Sequence, residues 1–278
     1  MKNFTTKQRL NQHLLDARAS GATIGFVPTM GALHQGHLSL IARARQDCDI
    51  VVCSIFVNPT QFNDPKDLEK YPRPIEADIV KLEQAGCDVL FNPDVTEMYA
   101  GNEQWHLDIG ELEHLLEGQS RPGHYQGVTQ VVYKLFSIVE PDSAYFGQKD
   151  FQQVLVINRM VDLMKMPVKI VMCPIEREGN GLAMSSRNVH LSATDREHAL
   201  VLSQALKQVK DNFNREDIAT LKQQAENSIN NEPDVQLDYL EIADAKTLHP
   251  ANQNTANVVA LVAARVGTTR LIDNMIIR

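Results

Sequence analysis

The sequence predicts an α/β fold: a parallel sheet flanked by helices, followed by a smaller α+β domain at the carboxyl end. Three observations lead there. Short β-rich runs alternate with stretches of helical periodicity up to about residue 177. Beyond it, two polar amphipathic segments precede a set of strand-like runs. The 278 residues, 43% of them apolar, suffice for one large or two modest domains with a substantial core.

In order along the chain, strands are expected at 23–27, 50–57, 89–91, 143–146 and 168–172. Helices are expected between them at 38–45, 75–85, 127–139 and 151–164. The third of these helices has the plainest pattern: Val128, Val131, Val132, Leu135, Phe136 and Val139 recur along one face, which must meet a sheet. Pro141 then ends it. After a tight hinge at 177–181, amphipathic helices are read at 195–212 and 216–229. Val235, Leu237 and Tyr239 alternate as a half-buried strand does, and 258–266 and 270–277 read as two further strands. The expected domains are therefore 1–176 and 177–278.

Composition removes several function classes. A net charge of −8 with interspersed signs lacks the basic face of a nucleic-acid binder. The segment 1–15 has no long apolar stretch, and nowhere do about 18 apolar residues run together, so neither a signal peptide nor a membrane span is expected. Cys48, Cys53, Cys87 and Cys173 form no CxxC pair and read as core thiols of a reducing, cytoplasmic setting.

Chemistry concentrates in three stretches. Residues 28–40 place Gly31, His34, Gly36 and His37 at a strand-to-helix turn. A helix starting near Gly36 would aim N–H groups and its positive dipole end at an anion, and the two imidazoles would add donors. A zinc pair is disfavoured because no third ligand lies at a supporting spacing; a helix-capping turn is the plainer alternative. Neither GxxxxGK[ST] nor GxGxxG occurs, so a triphosphate needs charges from elsewhere.

The second stretch, Gly147-Gln148-Lys149-Asp150, leaves a strand at its carboxyl end, where ligands of open α/β sheets collect; Lys149 can act there as a point charge. The third, 179–188, is glycine-rich and runs into Ser185, Ser186 and Arg187, suiting β- and γ-phosphates. Asn58, Gln61 and Gln153 are amides near element ends, suited to a small ligand with hydroxyl and carboxylate groups.

These residues together resemble the pantoate–β-alanine ligase family. The likeness rests on Pro28-Thr29-Met30-Gly31 through His37, Ser54 through Phe62, Tyr71-Pro72-Arg73, Arg121-Pro122-Gly123-His124, Phe146 through Asp150, and Leu182 through Asn188. A wider resemblance is to the HIGH and KMSKS nucleotidyltransferases, with His34-Gln35-Gly36-His37 in the first role and Ala183-Met184-Ser185-Ser186-Arg187 in the second. The leading lysine of KMSKS is Ala183 here, a departure usual in the family.

The resemblance implies a Rossmann-like amino-terminal domain and an ATP-dependent condensation of D-pantoate with β-alanine through a pantoyl adenylate, releasing AMP and pyrophosphate. It implies ATP contacts from Met30, Gly31, Ala32, Leu33, His34, Gln35, Gly36, His37, Gly147, Gln148, Lys149, Asp150, Glu176, Met184, Ser185, Ser186 and Arg187. His37, as proton donor, His34 and Lys149 would be catalytic. Pantoate would be held by Gln61 and Gln153, with Asn58 close to the reacting centre and Gln61 also near β-alanine. Mg²⁺ would arrive with ATP, bound mainly by phosphate oxygens and water. A homodimer is implied, with the carboxyl-terminal domain as a lid and all three stretches converging on one triphosphate.

Three other readings remain. A nucleotidyltransferase making a dinucleotide or CDP-alcohol would share the histidine motif but not the full motif set. A non-enzymatic ATP-binding regulator would show no AMP production dependent on both other substrates. A class I aminoacyl-tRNA synthetase fragment would need a basic surface that this chain lacks.

Overall fold

In the computed structural model, which describes residues 1–99, 101 and 103–278, contacts divide the chain into two units. The first is Met1–Gly147 with Gln152–Pro174, and the second is Gln148–Phe151 with Ile175–Arg278.

The first unit holds strands β1 (Lys2–Phe4), β2 (Ile24–Thr29), β3 (Ile50–Ile55), β4 (Val89–Phe91), β5 (Ser143–Gly147) and β6 (Lys169–Cys173). They form one parallel sheet in the order β1-β4-β3-β2-β5-β6. The connecting helices are α1 (Lys7–Ala19), α2 (Gln35–Asp47), α3 (Pro65–Lys70), α4 (Ile75–Gln84), α5 (Val95–Met98), α6 (Leu116–Ser120), α7 (His124–Val139) and α8 (Phe151–Met164).

Both faces of the sheet are covered, which is why its strands read as continuous apolar runs rather than alternating ones. Phe26, Val52, Phe91 and Phe146 pack with Leu10 and Leu14 of α1, the apolar stripe of α7, and Ile157 and Met160 of α8. Val27, Val51, Cys53 and Leu90 pack on the other side with Leu40 and Ile41 of α2 and Leu82 of α4. Strand order reverses between β2 and β5, with β3 and β4 to one side and β6 to the other. Their carboxyl ends therefore flank the crevice where open α/β sheets bind ligands.

The second unit contains α9 (Ala193–His198), α10 (Leu200–Asn212), α11 (Ile218–Asn230) and strands β7 (Val235–Asp244), β8 (Val258–Val266) and β9 (Thr269–Ile276). The strands form an antiparallel sheet in the order β7-β8-β9, with a bulge at Leu237/Tyr239. Leu202, Leu206 and Val209 of α10 and Leu221, Ala225 and Ile229 of α11 pack with Ile242, Val258, Ala260, Val262 and Ala264.

Several elements differ from the sequence expectation. The expected helix at 195–212 is two, because Ser192 and Asp195 form a reciprocal cap that starts α9 at Ala193, and Ala199 separates α9 from α10. Helix α1 is absent from that expectation: its sequence is largely polar, and only Leu10 and Leu14, one turn apart, are buried. Gln148–Phe151 groups with the second unit, since Asn274 Nδ2 donates to the carbonyls of Gln148 and Lys149, both at 2.9 Å. The Gln148 amide also donates to Asn274 Oδ1 at 3.0 Å.

Candidate active site

The turn after β2 is held by a buried carboxylate. Gly31 and Ala32 both adopt positive φ, +83° and +50°, which reverses the chain before α2. Asp78 of α4, 1% exposed, accepts the N–H of Ala32 at 2.7 Å and of Leu33 at 2.8 Å. Lys81, one turn on, donates to the Leu33 carbonyl at 2.6 Å. A Cβ on Gly31 would come within 3.1 Å of Asp78 Oδ2, so this approach favours glycine.

Helix α2 then starts at Gln35, earlier than its apolar pattern suggests, because the two histidines cap it. His34 Nδ1 accepts the Gly36 N–H at 3.1 Å, and His37 Nδ1 accepts the His34 N–H at 3.3 Å. The imidazole rings lie 4.1 Å apart. A ring whose Nδ1 accepts a hydrogen bond carries its proton on Nε2 when neutral. Each histidine thus bears an Nε2–H, a donor suited to a phosphate oxygen. The expectation of open N–H groups at this helix end is therefore modified: imidazole nitrogens take two of the backbone donors.

Met30 connects this turn to the amides. Gln61 Nε2 lies 3.1 Å from Met30 Sδ, and Gln61 Oε1 accepts from Asn58 Nδ2 at 3.2 Å. Asn58 and Gln61 are buried, at 0% and 8% exposure. They bracket the short 3₁₀ turn Pro59–Gln61, which rests directly on α7: a Cβ on Gly127 would come within 2.3 Å of the Thr60 carbonyl oxygen. His124, from the Arg121-Pro122-Gly123-His124 stretch, holds the Gln61 carbonyl through Nδ1 at 2.8 Å, and its Nε2 is 3.0 Å from Arg121 Nη1. Gln153 lies half-buried in the first turn of α8, and Gly147 ends β5 with open space where a Cβ would be.

In the second unit, Lys149 and Ser185 line one small pocket together with Ala183, Asn188 and Asp273. Two of the three expected stretches thus meet. The 179–188 stretch is not a loose loop. Arg177 and Ala183 bridge across a turn in which Gly181, at φ +98°, donates to the Glu178 carbonyl, and Met184 donates to the Glu176 carbonyl at 3.0 Å. Asp273 grips Arg177 with both oxygens, at 2.7 and 2.9 Å.

Ser185 Oγ caps the 3₁₀ turn Ser186–His190 by accepting the Arg187 N–H. Asn188, 4% exposed, donates to the Ala183 carbonyl and to Glu178. Burial works to raise the Glu178 carboxyl, but Arg196 and Asn188 hold it below its ordinary value.

Sequence reasoning does not single out Asp78, Asn274 or Tyr99, which donates to Asn58 Oδ1 at 2.7 Å, as residues that shape the site. Asp78 differs from the acids Glu76 and Glu83 of the same helix in falling on the apolar stripe of Ile75, Ile79 and Leu82. That position and its i, i+3 pairing with Lys81 are the signals in the letters.

The sequence profile of the family described as Pantoate-beta-alanine ligase matches residues 2–276. The chain is 47% identical over 277 residues to a pantothenate synthetase of Porphyromonas gingivalis, covering 99% of each. It is 47% identical over 279 residues to that of Thermotoga petrophila, covering 100% of each. Among solved structures, the pantothenate synthetase of Thermus thermophilus superposes with a TM-score of 0.94 at 43% identity, over 99% of each chain. The Francisella tularensis pantoate-beta-alanine ligase, complexed with beta-gamma ATP and beta-alanine, matches with a TM-score of 0.83 at 36% identity, over 99% of this chain and 97% of that one.

Proposed function

Because the chain belongs to the pantoate–β-alanine ligase family, we propose that it condenses D-pantoate with β-alanine, using ATP and forming an enzyme-bound pantoyl adenylate before releasing AMP and pyrophosphate. The observation that carries this reading is the role of Met30: it leaves β2 four residues ahead of the first capping histidine, and it touches Gln61. The histidine turn after β2 and the buried amide pair after β3 therefore lie at the carboxyl ends of two neighbouring parallel strands.

A carboxylate is a poor acyl donor because oxide would have to leave. Adenylation replaces that leaving group with AMP, after which the neutral amine of β-alanine attacks the carbonyl. As pantoate attacks the α-phosphorus, negative charge grows on the phosphoryl and bridging oxygens, so the need is for electrostatic stabilisation. In this proposal His34 and His37 direct Nε2–H at the phosphates, with His37 as proton donor. Lys149 carries its charge to the reacting phosphate, Ser185, Ser186 and Arg187 gather the departing pyrophosphate, and Met184 adds a nucleotide contact.

Met30, Gly31, Ala32, Leu33, Gln35, Gly36, Gly147, Gln148, Asp150 and the backbone at Glu176 complete the nucleotide contacts. Gln61 and Gln153 hold pantoate, with Asn58 behind Gln61, and Gln61 also serves β-alanine. Asp78 is committed to two backbone N–H groups, which leaves imidazoles and amides as the donors of the first unit. That set suits Mg²⁺ only through the phosphate oxygens of ATP and water, so Mg²⁺ enters with the nucleotide and neutralises its charge. A cytoplasmic homodimer completes the proposal. No helix of the described residues is long and apolar enough to cross a membrane.

The test is direct. Purified protein given ATP, Mg²⁺ and pantoate should form pantoyl adenylate, detected by mass before β-alanine is added. AMP release without pantoate, or no adenylate at all, would overturn the proposal. Gln153→Ala should chiefly raise the pantoate KM, and an unchanged pantoate response with weakened ATP use would overturn that placement.

A further inference from the structure

Gln61 can meet a ligand with either end of its amide, and the hydrogen bonds behind it decide which. Asn58 Oδ1 receives the Tyr99 O–H at 2.7 Å, the Thr60 O–H at 3.1 Å and the Thr60 N–H at 3.3 Å. The Thr60 N–H can only donate, which makes the atom it meets the oxygen, and the Tyr99 and Thr60 hydroxyls, themselves 3.4 Å apart, then turn their protons to it. The other end of Asn58 faces the Gly127 carbonyl at 3.1 Å, which can only accept, so that end is the NH₂ group. The second proton of this NH₂ goes to Gln61 at 3.2 Å, which makes the contacted atom Oε1. The amide of Gln61 is thereby turned with its NH₂ away from Asn58, beside the sulfur of Met30 at 3.1 Å, a weak acceptor easily exchanged for a better one.

We infer that Tyr99 is a positioning residue that, through Asn58, presets Gln61 as a hydrogen-bond donor and so selects a ligand offering an anionic or hydroxyl oxygen there. The inference rests on the placement of pantoate at Gln61 and adds the residue that sets the polarity of that site. The Tyr99 ring is itself fixed: Phe56 lies 6.2 Å away, and the Lys134 ammonium sits 5.1 Å over its face while paired with Glu103. Burial holds the phenol above its ordinary value, so the hydroxyl keeps its proton at neutral pH.

The experiment is Tyr99→Phe, which keeps the ring contacts and removes one proton donor. Steady-state kinetics should show the pantoate KM raised by about fivefold to tenfold, the loss of one hydrogen bond's worth of orientation, while the ATP KM stays within about twofold. Thr60→Val combined with Tyr99→Phe should raise the pantoate KM by more than the product of the single effects. In ligand-free protein, the side-chain amide ¹⁵N–¹H signals of Asn58 and Gln61 should shift in Tyr99→Phe.

Parental pantoate kinetics with unshifted amide signals would overturn the inference. So would equal rises in the KM for ATP and pantoate with a lowered melting temperature, which would mark a merely structural tyrosine. The amide signals need no substrate. If the parental protein uses no pantoate, the functional reading falls while those signals still decide whether Tyr99 orients Gln61.

Discussion

Gly127→Ala should combine a small loss of stability with a large loss of rate. The added methyl would lie 2.3 Å from the Thr60 oxygen, 2.6 Å from its carbonyl carbon and 2.7 Å from the Gln61 nitrogen. All three are backbone atoms, so no side chain can swing aside; the Pro59–Gln61 turn or the start of α7 must retreat by roughly 1 Å to regain ordinary contact. Overpacking of this kind costs about 1–3 kcal/mol, and replacing a helical glycine by alanine returns about 1 kcal/mol. The net loss in stability should therefore be small, about 0–2 kcal/mol, and visible as a modest fall in urea midpoint.

The displaced turn, however, carries Asn58 and Gln61, and the Gly127 carbonyl anchors Asn58. A misplacement of about 1 Å at a substrate-positioning group costs on the order of 100-fold in rate. Single-turnover adenylate formation at saturating ATP should fall by about that factor. A Gly127→Ala protein with a near-parental rate would show that the amide pair either does not move or does not position substrate.

His37→Ala or Lys149→Ala should each lose roughly two decades or more in single-turnover adenylate formation, the typical value of a donor acting on transition-state charge; near-parental rates would remove the assigned role. Asp78→Ala leaves two backbone N–H groups behind a buried gap and should lower unfolding free energy by about 2–5 kcal/mol in denaturant titration. Asp78→Ala matching the parental curve would show that the turn holds itself. Burial pushes the Cys87 thiol up to about 12 and that of Cys53 well above its ordinary value, so both stay protonated as pH rises through about 8. Alkylation of native protein at about pH 8, mapped by peptide mass, should spare Cys53 and Cys87 until denaturant is added; modification of Cys87 in the native state would contradict this.

The first sheet is legible because a strand buried on both faces has to be apolar throughout, as Ile50 to Ile55 and Val89 to Phe91 largely are, while α7 carries its stripe in the letters. Helix α1 escapes because two leucines a turn apart are too little periodicity to distinguish from chance. In the candidate site, residues carrying a chemical group at a turn can be read, such as His34, His37 and Lys149. Those that act from a distance in sequence cannot: Asp78 meets Ala32 across 46 positions and Tyr99 meets Asn58 across 41, and no local pattern records either meeting. Capping by the two imidazoles is the plainer alternative to ligand binding when only the letters are seen. Their Nδ1 atoms face the helix end while the proposed chemistry uses Nε2, so both readings describe the same residues.

Asn274 joins positions far apart along the polypeptide. It sits near the close of β9, a few residues from Arg278, yet its amide holds the two peptide groups from which Gln148 and Lys149 project. Any truncation or fusion that frays this last strand would therefore loosen an ammonium group more than a hundred residues upstream. On the role proposed for Lys149, β9 is therefore part of what aligns its ammonium, and a protein lacking that strand should carry a misaligned lysine.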